Sequence, residues 1–582
     1  MAVSVQGFNL LTKDMFRFNK LCFSIVVYFT FQLFVSIGQL QNNHWNFGFN
    51  ARVNFSVTPP NGMIASPIYS PEQCATVSDA TSGQLLFFTD GQSVWNINNQ
   101  TMPNGFNLFG GAFLSCTQGP LIVPFPEEPE KYYIFAMDDL EYDVPQLDNG
   151  LRYTVVDMTL NGGLGDVNPL QKNVYLTNFL SEKMTVVRSE AIRGYWVIVH
   201  KRESNQFLAY KIDGCGVDPN PVASNVGTEL LGANSNFDPR MPFYGSMKAN
   251  KTGDRIAMPI DDSRFIDFYS FDAATGQLFD PITVEVFDNT PGSPIRKYGC
   301  SFSPEGNMFY YTNNISVYQL NLSAYDSLSI ATSHTLIATP ADPTFQIEEA
   351  MDGKLYVAIG GSNVLDAINL PNNPGVSCGY TSNAIVLNGL CMLGLPSYVH
   401  ERNFSSPTIS FQPDTCLQST LSFSIATALP VNQISWNFGD PNSGTNNTAT
   451  SITATHQFSS AGNYTVTAIA EFECYTDTIE QLLTIVDCPP PPPPVVYEFE
   501  FPNVLTPNGD MVNDLFFIAN LPDNTEVTIL NRWGNIVFSS TNYQNNWDGK
   551  DISGKELVEG VYTYRFKTQD GKIGHGFVQL VR

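Results

Sequence analysis

The chain has 582 residues, too many for one ordinary domain, and this length predicts about three or four domains. It carries 55 acidic and 29 basic residues, a formal net charge of −26, so its surface repels phosphate backbones and we expect no nucleic-acid partner. Aromatic residues reach 13% and turn-forming residues are abundant, a composition that predicts an all-β secreted protein.

The N-terminal region has the pattern of a secretory signal. Arg17 and Lys20 precede a nearly unbroken apolar run, which ends at a site of small residues. This order predicts a signal peptide over residues 1–38. A membrane anchor is the alternative, but the run is a little short for one. The sequence does not decide whether Met1 or Met15 is the start.

Residues 39–402 contain a loose internal repeat of a short strand, a glycine-containing turn, an apolar strand, a loop and another apolar strand. Repeats of this size predict the blades of a β-propeller. Six units can be counted, and residues 45–47 and 53–55 are expected to close a seventh blade with residues 384–387, which removes exposed sheet edges. The repeat resembles the sugar-hub or quinoprotein-like propellers, and more closely the propeller regions that often precede sandwich and sorting domains in exported proteins. A stack of β-sandwiches is the alternative.

Three acidic clusters in this region are candidates for catalytic carboxylates. They are Asp138 with Asp139 and Glu141, Asp261 with Asp262, and Glu348 with Glu349. A glycosidase needs two carboxylates from different strands that face one sugar, whereas each of these clusters is local. We therefore interpret them as solvated loop charges, and we assign no catalytic residue.

Two motifs characterise residues 403–488. Residues 436–440 are Trp-Asn-Phe-Gly-Asp, and residues 456–467 carry a His-x-Phe pattern followed by Gly-Asn-Tyr-Thr-Val. This pair of motifs resembles the polycystic-kidney-disease (PKD) domain, which implies an immunoglobulin-like β-sandwich that acts as a spacer or a contact module. We expect Trp436 in its core and His456 packed beside the sandwich.

Nine cysteines remain after removal of a signal that contains Cys22, and an oxidising compartment allows them to pair. The predicted disulfides are Cys378 with Cys391 across a hairpin, Cys416 with Cys474 between the sheets of the sandwich, and Cys74 with Cys116. Cys215, Cys300 and Cys488 are left unassigned, so at least one thiol is free or bonded to another molecule. No cysteine or histidine spacing predicts zinc.

Residues 489–494 are six consecutive prolines. Such a run adopts the polyproline II conformation and acts as a stiff spacer, so residues 489–498 are predicted to be a linker. An SH3-type ligand is the alternative, but it has no evident use in an exported protein.

The last part of the chain carries several characteristic motifs. They are Phe-Pro-Asn-Val-Leu-Thr-Pro-Asn-Gly-Asp from 501, Asn-Arg-Trp-Gly-Asn from 531, Gly-Val-Tyr-Thr-Tyr-Arg-Phe from 560 and Gly-Phe-Val-Gln-Leu-Val-Arg from 576. They resemble the gliding-motility-associated C-terminal domain, the type B sorting domain of the type IX secretion system, over residues 499–582. The family usually has glycine where this chain has Met511. Tyr562, Tyr564 and Phe566 alternate with polar residues, which predicts a half-buried strand in a small β-sandwich.

One turn of this domain is a candidate metal site. Asn508, Asp510, Asn513 and Asp514 bring several oxygen atoms to a short loop, as calcium requires. The alternative is that these side chains cap a tight turn through Asx hydrogen bonds. Calcium is the only cofactor we consider.

Together these features predict an exported, multidomain surface or secreted protein with a recognition or adhesion role. Its partners would be the type IX secretion machinery, through the C-terminal domain, and an extracellular glycan or protein ligand. The protein would travel through the periplasm. A propeller-type hydrolase that acts on polysaccharide or peptide is the alternative. The sequence identifies neither the ligand nor whether the protein is released or stays attached.

Overall fold

The computed structural model describes residues 40–140, 149–235, 238–287, 296–399, 404–412, 415–488 and 498–582. The predicted signal peptide, the proline run and Glu141 lie outside these ranges. The chain divides into two compact units, of which one ends at Val486 and the other begins at Asp487. We call residues 40–486 the body and residues 498–582 the tail module. Within the described ranges, no helix is long and apolar enough to cross a membrane.

Short antiparallel strands make up the body from His44 to Cys391. The first sixteen are β1 (His44–Phe47), β2 (Phe49–Asn54), β3 (Asn61–Tyr69), β4 (Ala75–Ser78), β5 (Leu85–Thr89), β6 (Val94–Asn96), β7 (Pro120–Pro124), β8 (Lys131–Ala136), β9 (Leu151–Asp157), β10 (Asp166–Val167), β11 (Val174–Thr177), β12 (Leu180–Ser189), β13 (Gly194–Lys201), β14 (Ser204–Asp213), β15 (Gly216–Val217) and β16 (Val222–Leu230).

The remaining strands of this region are β17 (Lys248–Ala249), β18 (Arg255–Pro259), β19 (Phe265–Asp272), β20 (Gln277–Glu285), β21 (Cys300–Phe302), β22 (Met308–Thr312), β23 (Val317–Asn321), β24 (Thr335–Ala338), β25 (Thr344–Glu349), β26 (Leu355–Ile359), β27 (Ser362–Ile368) and β28 (Tyr380–Cys391). The helical segments are α1 (Ser327–Thr332) and the 3-10 turns Asn161–Gly163, Pro169–Gln171, Gly232–Asn234, Met241–Phe243 and Gly375–Cys378.

Consecutive strands form successive sheets, as a propeller requires. The sheets are β4–β6, β7–β11, β12–β16, β17–β20, β21–β24 and one seven-stranded sheet that joins β1–β3 to β25–β28. In the last sheet β2 pairs with β28 at Phe49 and Leu390, so strands from both ends of the region share one sheet. This confirms the all-β propeller fold and the joining of its ends, while the count of about seven blades stays a prediction.

Neighbouring aromatic residues explain why the sheets stack in a ring. Successive side chains of a strand point to opposite faces of its sheet, so each strand can contribute side chains to two hydrophobic cores. Tyr132 packs with β4–β6, while Tyr133 packs towards β12–β14. In the same way Phe309 packs towards β19 and Tyr310 packs towards β26. The core around Trp45 contains residues of both the first and the last strands and closes the ring.

The segment that leaves β28, residues 392–399, occupies the centre of this ring; we call it the exit segment. The N–H of Leu393 donates to Pro71 O at 2.9 Å, and the N–H of Leu395 donates to Gln346 Oε1 at 2.6 Å. Further on, Ser397 Oγ accepts a hydrogen bond from Lys248 Nζ at 3.2 Å. The exit segment therefore contacts the first strands of several sheets.

The rest of the body is the predicted β-sandwich. Its strands are β29 (Thr408–Phe411), β30 (Leu421–Ala426), β31 (Gln433–Asn437), β32 (Thr448–Thr450), β33 (Ala454–His456), β34 (Gly462–Glu471) and β35 (Thr476–Ile485), with a 3-10 segment at Pro441–Asn447. One sheet contains β29, β30 and β33, and the other contains β32, β31, β34 and β35. Trp436 lies in the core between them, as predicted.

The expected position of His456 is wrong, because its ring is buried inside the sandwich rather than beside it. The ring stacks on Phe438 with centroids 4.3 Å apart, and its Nε2 lies 3.2 Å from Asp440 Oδ2. The amide N–H of Ser459 also donates to this carboxylate, at 2.8 Å. A carboxylate in the core gives the histidine a polar partner, so burial leaves its ring hydrogen-bonded.

The tail module contains β36 (Val504–Leu505), β37 (Glu526–Leu530), β38 (Ile536–Ser540), β39 (Gly560–Lys567) and β40 (Ile573–Leu580). They form one sheet in the order β36, β40, β39, β37, β38. Tyr562, Tyr564 and Phe566 face its core, as their alternation predicts. The second layer differs from the predicted sandwich because residues outside strands, such as Phe516 and Trp547, pack on the sheet in place of a second sheet.

Candidate functional sites

The turn at the start of the tail module is organised by Asp514. One carboxylate oxygen accepts the N–H groups of Asn508 at 2.9 Å and Gly509 at 2.7 Å. The other oxygen accepts the N–H of Met511 at 2.7 Å. These bonds lower the pKa of Asp514, with Gly509 the main contributor. The contacts are those of an Asx-capped turn.

The other members of the predicted calcium site belong to the same turn. Asn508 Nδ2 donates to Asp510 Oδ2 at 3.0 Å, and Asn513 contributes its backbone carbonyl, which accepts the N–H of Thr506 at 2.7 Å. Within the described ranges, no three histidine, cysteine, aspartate or glutamate side chains are grouped to hold a metal. Calcium binding by the four residues stays a prediction.

The tail module leaves one face of its sheet uncovered. Val561 on β39 and Ile573 and Phe577 on β40 are exposed large apolar residues of this face. Arg565 and Lys567 lie on the same face, because they alternate with the buried residues of β39. An apolar and basic face on an acidic chain is a candidate contact surface.

Five of the six described carboxylates in the acidic clusters of the propeller are buried and Asp138 is half-buried, which corrects their interpretation as solvated loop charges. Asp139, Asp261 and Glu348 are all excluded from solvent. Asp139 Oδ2 accepts the N–H of Phe113 at 2.7 Å, and Asp261 Oδ1 accepts the N–H of Lys297 at 2.9 Å. These carboxylates lie where loops and strand ends leave backbone donors unpaired, so they satisfy donors inside the protein.

Two further buried charges, Glu182 and Lys183, were missed because they sit inside an ordinary strand, β12. Glu182 Oε2 accepts the N–H of Thr117 at 2.9 Å, and Oε1 accepts the N–H of Leu140 at 3.0 Å. Burial raises the pKa of Glu182 to about 7 against these hydrogen bonds. Burial also lowers the pKa of Lys183, whose Nζ donates to Pro259 O at 3.2 Å, to about 8. Both side chains connect loops of neighbouring sheets.

The centre of the ring has little free space. Leu121, Met184, Lys248, Glu348 and Tyr398 line a cavity of about 20 Å³, which is room for a single water molecule. Lys248 Nζ and a carboxylate oxygen of Glu348 form a buried ion pair at 2.5 Å. The exit segment and this ion pair therefore fill the centre of the ring.

The predicted pairing of Cys378 with Cys391 is wrong, and both thiols are free and buried. The sequence suggested a hairpin between them, but β28 runs straight from Tyr380 to Cys391. Twelve extended residues span roughly 40 Å, whereas a disulfide needs its Cα atoms within about 7 Å. Cys74 and Cys116 are also free, because they belong to different cores.

The predicted pairing of Cys416 with Cys474 is wrong as well. Cys474 lies in the turn between β34 and β35 and bonds to Cys215 of the propeller, with Cα atoms 5.0 Å apart. The backbone of Cys416 pairs with that of Val486 in an isolated β-bridge, at the far end of the same strand pair. The ten residue pairs of that ladder separate the two cysteines by roughly 30 Å. Cys416 and Cys488 are each disulfide-bonded.

The Cys215–Cys474 disulfide is part of a larger junction between propeller and sandwich. Arg193 Nε pairs with Glu127 Oε1 at 3.2 Å, and its Nη1 donates to Ser405 O at 2.6 Å. Its guanidinium carbon also lies 5.6 Å from the centroid of the Tyr475 ring. Residues of both domains line a cavity of about 140 Å³ beside the disulfide. The junction holds the two domains in one compact body.

Comparisons with known proteins agree with the two sequence resemblances. Residues 499–580 match the CHU_C type IX secretion signal domain, and residues 409–472 match the PKD domain. No curated protein matches the chain. The secretion signal domain indicates a protein exported by type IX secretion, either secreted or held at the cell surface.

Several solved structures are weakly similar. PorZ, a surface component of the type IX secretion system of Porphyromonas gingivalis, is 10% identical with a TM-score of 0.23 over 92% of this chain and 69% of that chain. The Cps50 (Swd1) β-propeller domain from Myceliophteria thermophila is 10% identical with a TM-score of 0.30 over 55% and 93%. Hsv2p from Kluyveromyces lactis is 9% identical with a TM-score of 0.32 over 56% and 90%. The successive sheets of this chain and the pairing of its first and last strands themselves define the propeller fold.

Proposed function

We propose that the protein is a recognition or adhesion module that type IX secretion delivers to the cell surface or the medium. The observation that carries the proposal is the secretion signal domain at residues 499–580. The signal peptide predicted at residues 1–38 takes the chain into the periplasm, and the tail module then engages the secretion machinery. The body is the exported cargo, and it binds a glycan or protein ligand outside the cell.

The construction of the body supports binding in preference to catalysis. The exit segment fills the propeller axis, so the exposed surfaces are the outer loops and strand edges, where recognition residues commonly lie. The sandwich is fixed to the propeller by the Cys215–Cys474 disulfide and serves as a rigid spacer. The net charge of −26 keeps the protein soluble and disfavours anionic partners.

A hydrolase is the competing hypothesis. The pKa values of Glu182 and Glu349 are raised by burial to about 7, the range of an effective general acid. Glu182 is 1% exposed and its carboxylate accepts backbone N–H groups, and Glu349 is 9% exposed. Carboxyl groups buried to this degree are poorly placed to meet a polymer substrate.

Export is tested by deletion of residues 499–582 in a host with type IX secretion. We expect the full chain in the surface or medium fraction and the truncated chain, still folded, in the periplasm. Disulfide formation and protease resistance of the truncated chain control for its folding. Equal export of both chains would show that the tail module is an ordinary binding domain.

Recognition is tested with the purified full chain against polysaccharide and peptide substrates, with both turnover and binding measured. The proposal predicts saturable binding without turnover. Turnover that is abolished by Glu349→Gln, while the fold is retained, would establish the hydrolase instead. The absence of binding to any cell-surface polymer would contradict a recognition role.

A further inference from the structure

Three aromatic side chains of the propeller, Phe106, Phe109 and Tyr175, are exposed on two segments that hydrogen bonds join; we call them the aromatic rim. Their exposed fractions are 49%, 42% and 49%. Phe106 and Phe109 lie in the loop between β6 and β7, and Tyr175 lies on the edge strand β11. Single exposed aromatic residues need no explanation, but a group of three on one surface marks a contact site.

Two cations pack against the rings of the rim, and one of them lies against two rings. The guanidinium carbon of Arg152 lies 5.1 Å from the ring centroid of Phe109 and 5.1 Å from that of Tyr175. Lys172 Nζ lies 4.8 Å from the ring centroid of Phe106. Cation–π attraction therefore holds each ring in place, although about half of its surface faces water.

Hydrogen bonds fix the backbone beneath the rings. Asn173 accepts the N–H of Phe109 at 3.0 Å and donates to Asn107 O at 2.9 Å. Asp166 accepts both the N–H and the side-chain amide of Asn104, at 2.8 and 2.7 Å. The loop is thus tied to the β10–β11 segment at several points. A surface ordered in this way loses little conformational entropy on binding.

We propose that the aromatic rim is a binding subsite for a neutral oligosaccharide, and this inference rests on the recognition function proposed above. A sugar ring has an apolar face of C–H bonds that carry a small positive charge. The faces of aromatic rings carry the complementary negative charge. Phe109 and Tyr175, which share Arg152, would stack on neighbouring sugar units, and Phe106 on the same loop would extend the subsite.

The polar groups of the rim favour a neutral sugar over an anionic one. Arg152 already donates to Asn149 O at 2.9 Å and to Asn173 O at 3.0 Å, and Lys172 donates to Asn104 O at 3.0 Å. These bonds occupy donors that an anionic ligand would use. The chain's net charge of −26 also repels anions at long range.

The size of the rim favours a sugar over a protein. Half-exposed aromatic rings offer roughly 300 Å² in total, if each side chain has about 200 Å² of surface. A stable protein–protein interface needs about 800 Å² from each partner. An oligosaccharide of a few units is covered by the smaller area.

The test uses the purified full chain and neutral gluco-, manno- and xylo-hexasaccharides, with polygalacturonate oligomers as the anionic comparison. Calorimetric titration is expected to show binding of at least one neutral hexasaccharide. Phe109→Ala and Tyr175→Ala should each weaken it about tenfold or more. The control Tyr69→Ala should leave it unchanged, because Tyr69 is 62% exposed and stacks on Phe49, away from the rim.

Each other outcome overturns the inference in a distinguishable way. Binding that is insensitive to Phe109→Ala and Tyr175→Ala would place the sugar elsewhere and leave the recognition function intact. Tighter binding of the anionic oligomer, lost in Arg152→Gln, would make the rim an anion site. Binding of the full chain to peptides only, with none of these sugars bound, would refute the rim as a sugar site while a recognition role survives.

Discussion

The body and the tail module solve the problem of a stable core in different ways. The body buries charged side chains such as Glu182, Lys183 and Asp261, fills its axis with its own exit segment and joins two domains by a disulfide. Among the described residues of the tail module, the buried polar side chains are only Thr525 and Thr568, and this module contains no cysteine. Stability of the body therefore depends on pH and redox state, whereas that of the tail module depends on apolar packing.

This difference suits the proposed division of labour. A sorting signal is more useful when it folds from local sequence and needs no disulfide. A cargo that works outside the cell gains from cross-links that hold two domains in place. If this division is right, a change in one part should leave the stability of the other part unchanged.

The largest expected effects on stability come from the buried tryptophan in the core of each part. Trp436→Ala should destabilise the body, and Trp547→Ala should destabilise the tail module, each by about 3 to 5 kcal/mol, because each side chain is fully buried. Calorimetry of the full chain should show that each variant shifts its own unfolding transition and leaves the other in place.

Trp533→Ala is the matched control for that experiment. Trp533 is 72% exposed, so its loss should change the stability of the tail module by less than about 0.5 kcal/mol. A single transition that moves as a whole with either core variant would contradict the independence of the two units.

Loss of the domain-linking disulfide should act on the body alone. Cys215→Ser with Cys474→Ser is expected to cost about 2 to 4 kcal/mol, because the bond closes a loop with a sequence separation of 259 residues. Dithiothreitol should lower the unfolding transition of the wild-type body and leave that of the tail module unchanged. An equal shift of both transitions would argue against the comparison.

Acidification should weaken the body through His200. Burial, aided by the positive charge of Lys183, lowers the pKa of His200 to about 3, so the folded state keeps the ring neutral. The unfolded chain takes up a proton below pH 6.5, and stability is lost as the pH falls from there towards the folded pKa. Between pH 6.5 and 5 this loss amounts to roughly 2 kcal/mol.

His200→Phe isolates this contribution, because other titrating groups are common to both chains. The variant should lose about 2 kcal/mol less than the wild type when denaturant unfolding is compared at pH 6.5 and 5. Identical losses in the two proteins would mean that the folded chain protonates the histidine as readily as the unfolded chain does.

The smallest effect on stability is expected for the turn of the tail module that Asp514 caps. Asp514→Asn should lower the unfolding temperature of the tail module slightly, because the carboxylate accepts three backbone N–H groups. The hydrogen-bonded turn predicts the same loss with calcium or with a chelator. A rise in stability with calcium in the wild type that is absent from the variant would show instead that the turn binds the metal.

Local sequence patterns predicted much of this fold, whereas contacts between distant parts of the chain could not be predicted from them. The alternation at Tyr562, Tyr564 and Phe566 identified a strand, and the motif at 436–440 placed Trp436 in a core, because side-chain direction follows from strand geometry. The tail motifs likewise identified the secretion signal domain. The path of the exit segment could not be predicted, since no local pattern records which sheets meet it.

The cysteines and charges show the same limit. Cys215 stood in an ordinary turn, and its bond to Cys474 depends on how two domains dock. Asp261 was expected in solvent because charged residues are rarely buried, but the tertiary fold surrounds it with donors. The aromatic rim could not be predicted from the sequence either, because only the fold places Phe109 and Tyr175 against the same arginine, Arg152.

The central claim is that the tail module alone addresses the protein for export and that the body is its cargo. The most direct measurement fuses the tail module, residues 498–582, to a disulfide-free reporter that has its own signal peptide, in a host with type IX secretion. The fused reporter should appear in the surface or medium fraction, while the reporter without the fusion should stay in the periplasm. Retention of both reporters in the periplasm would contradict the claim.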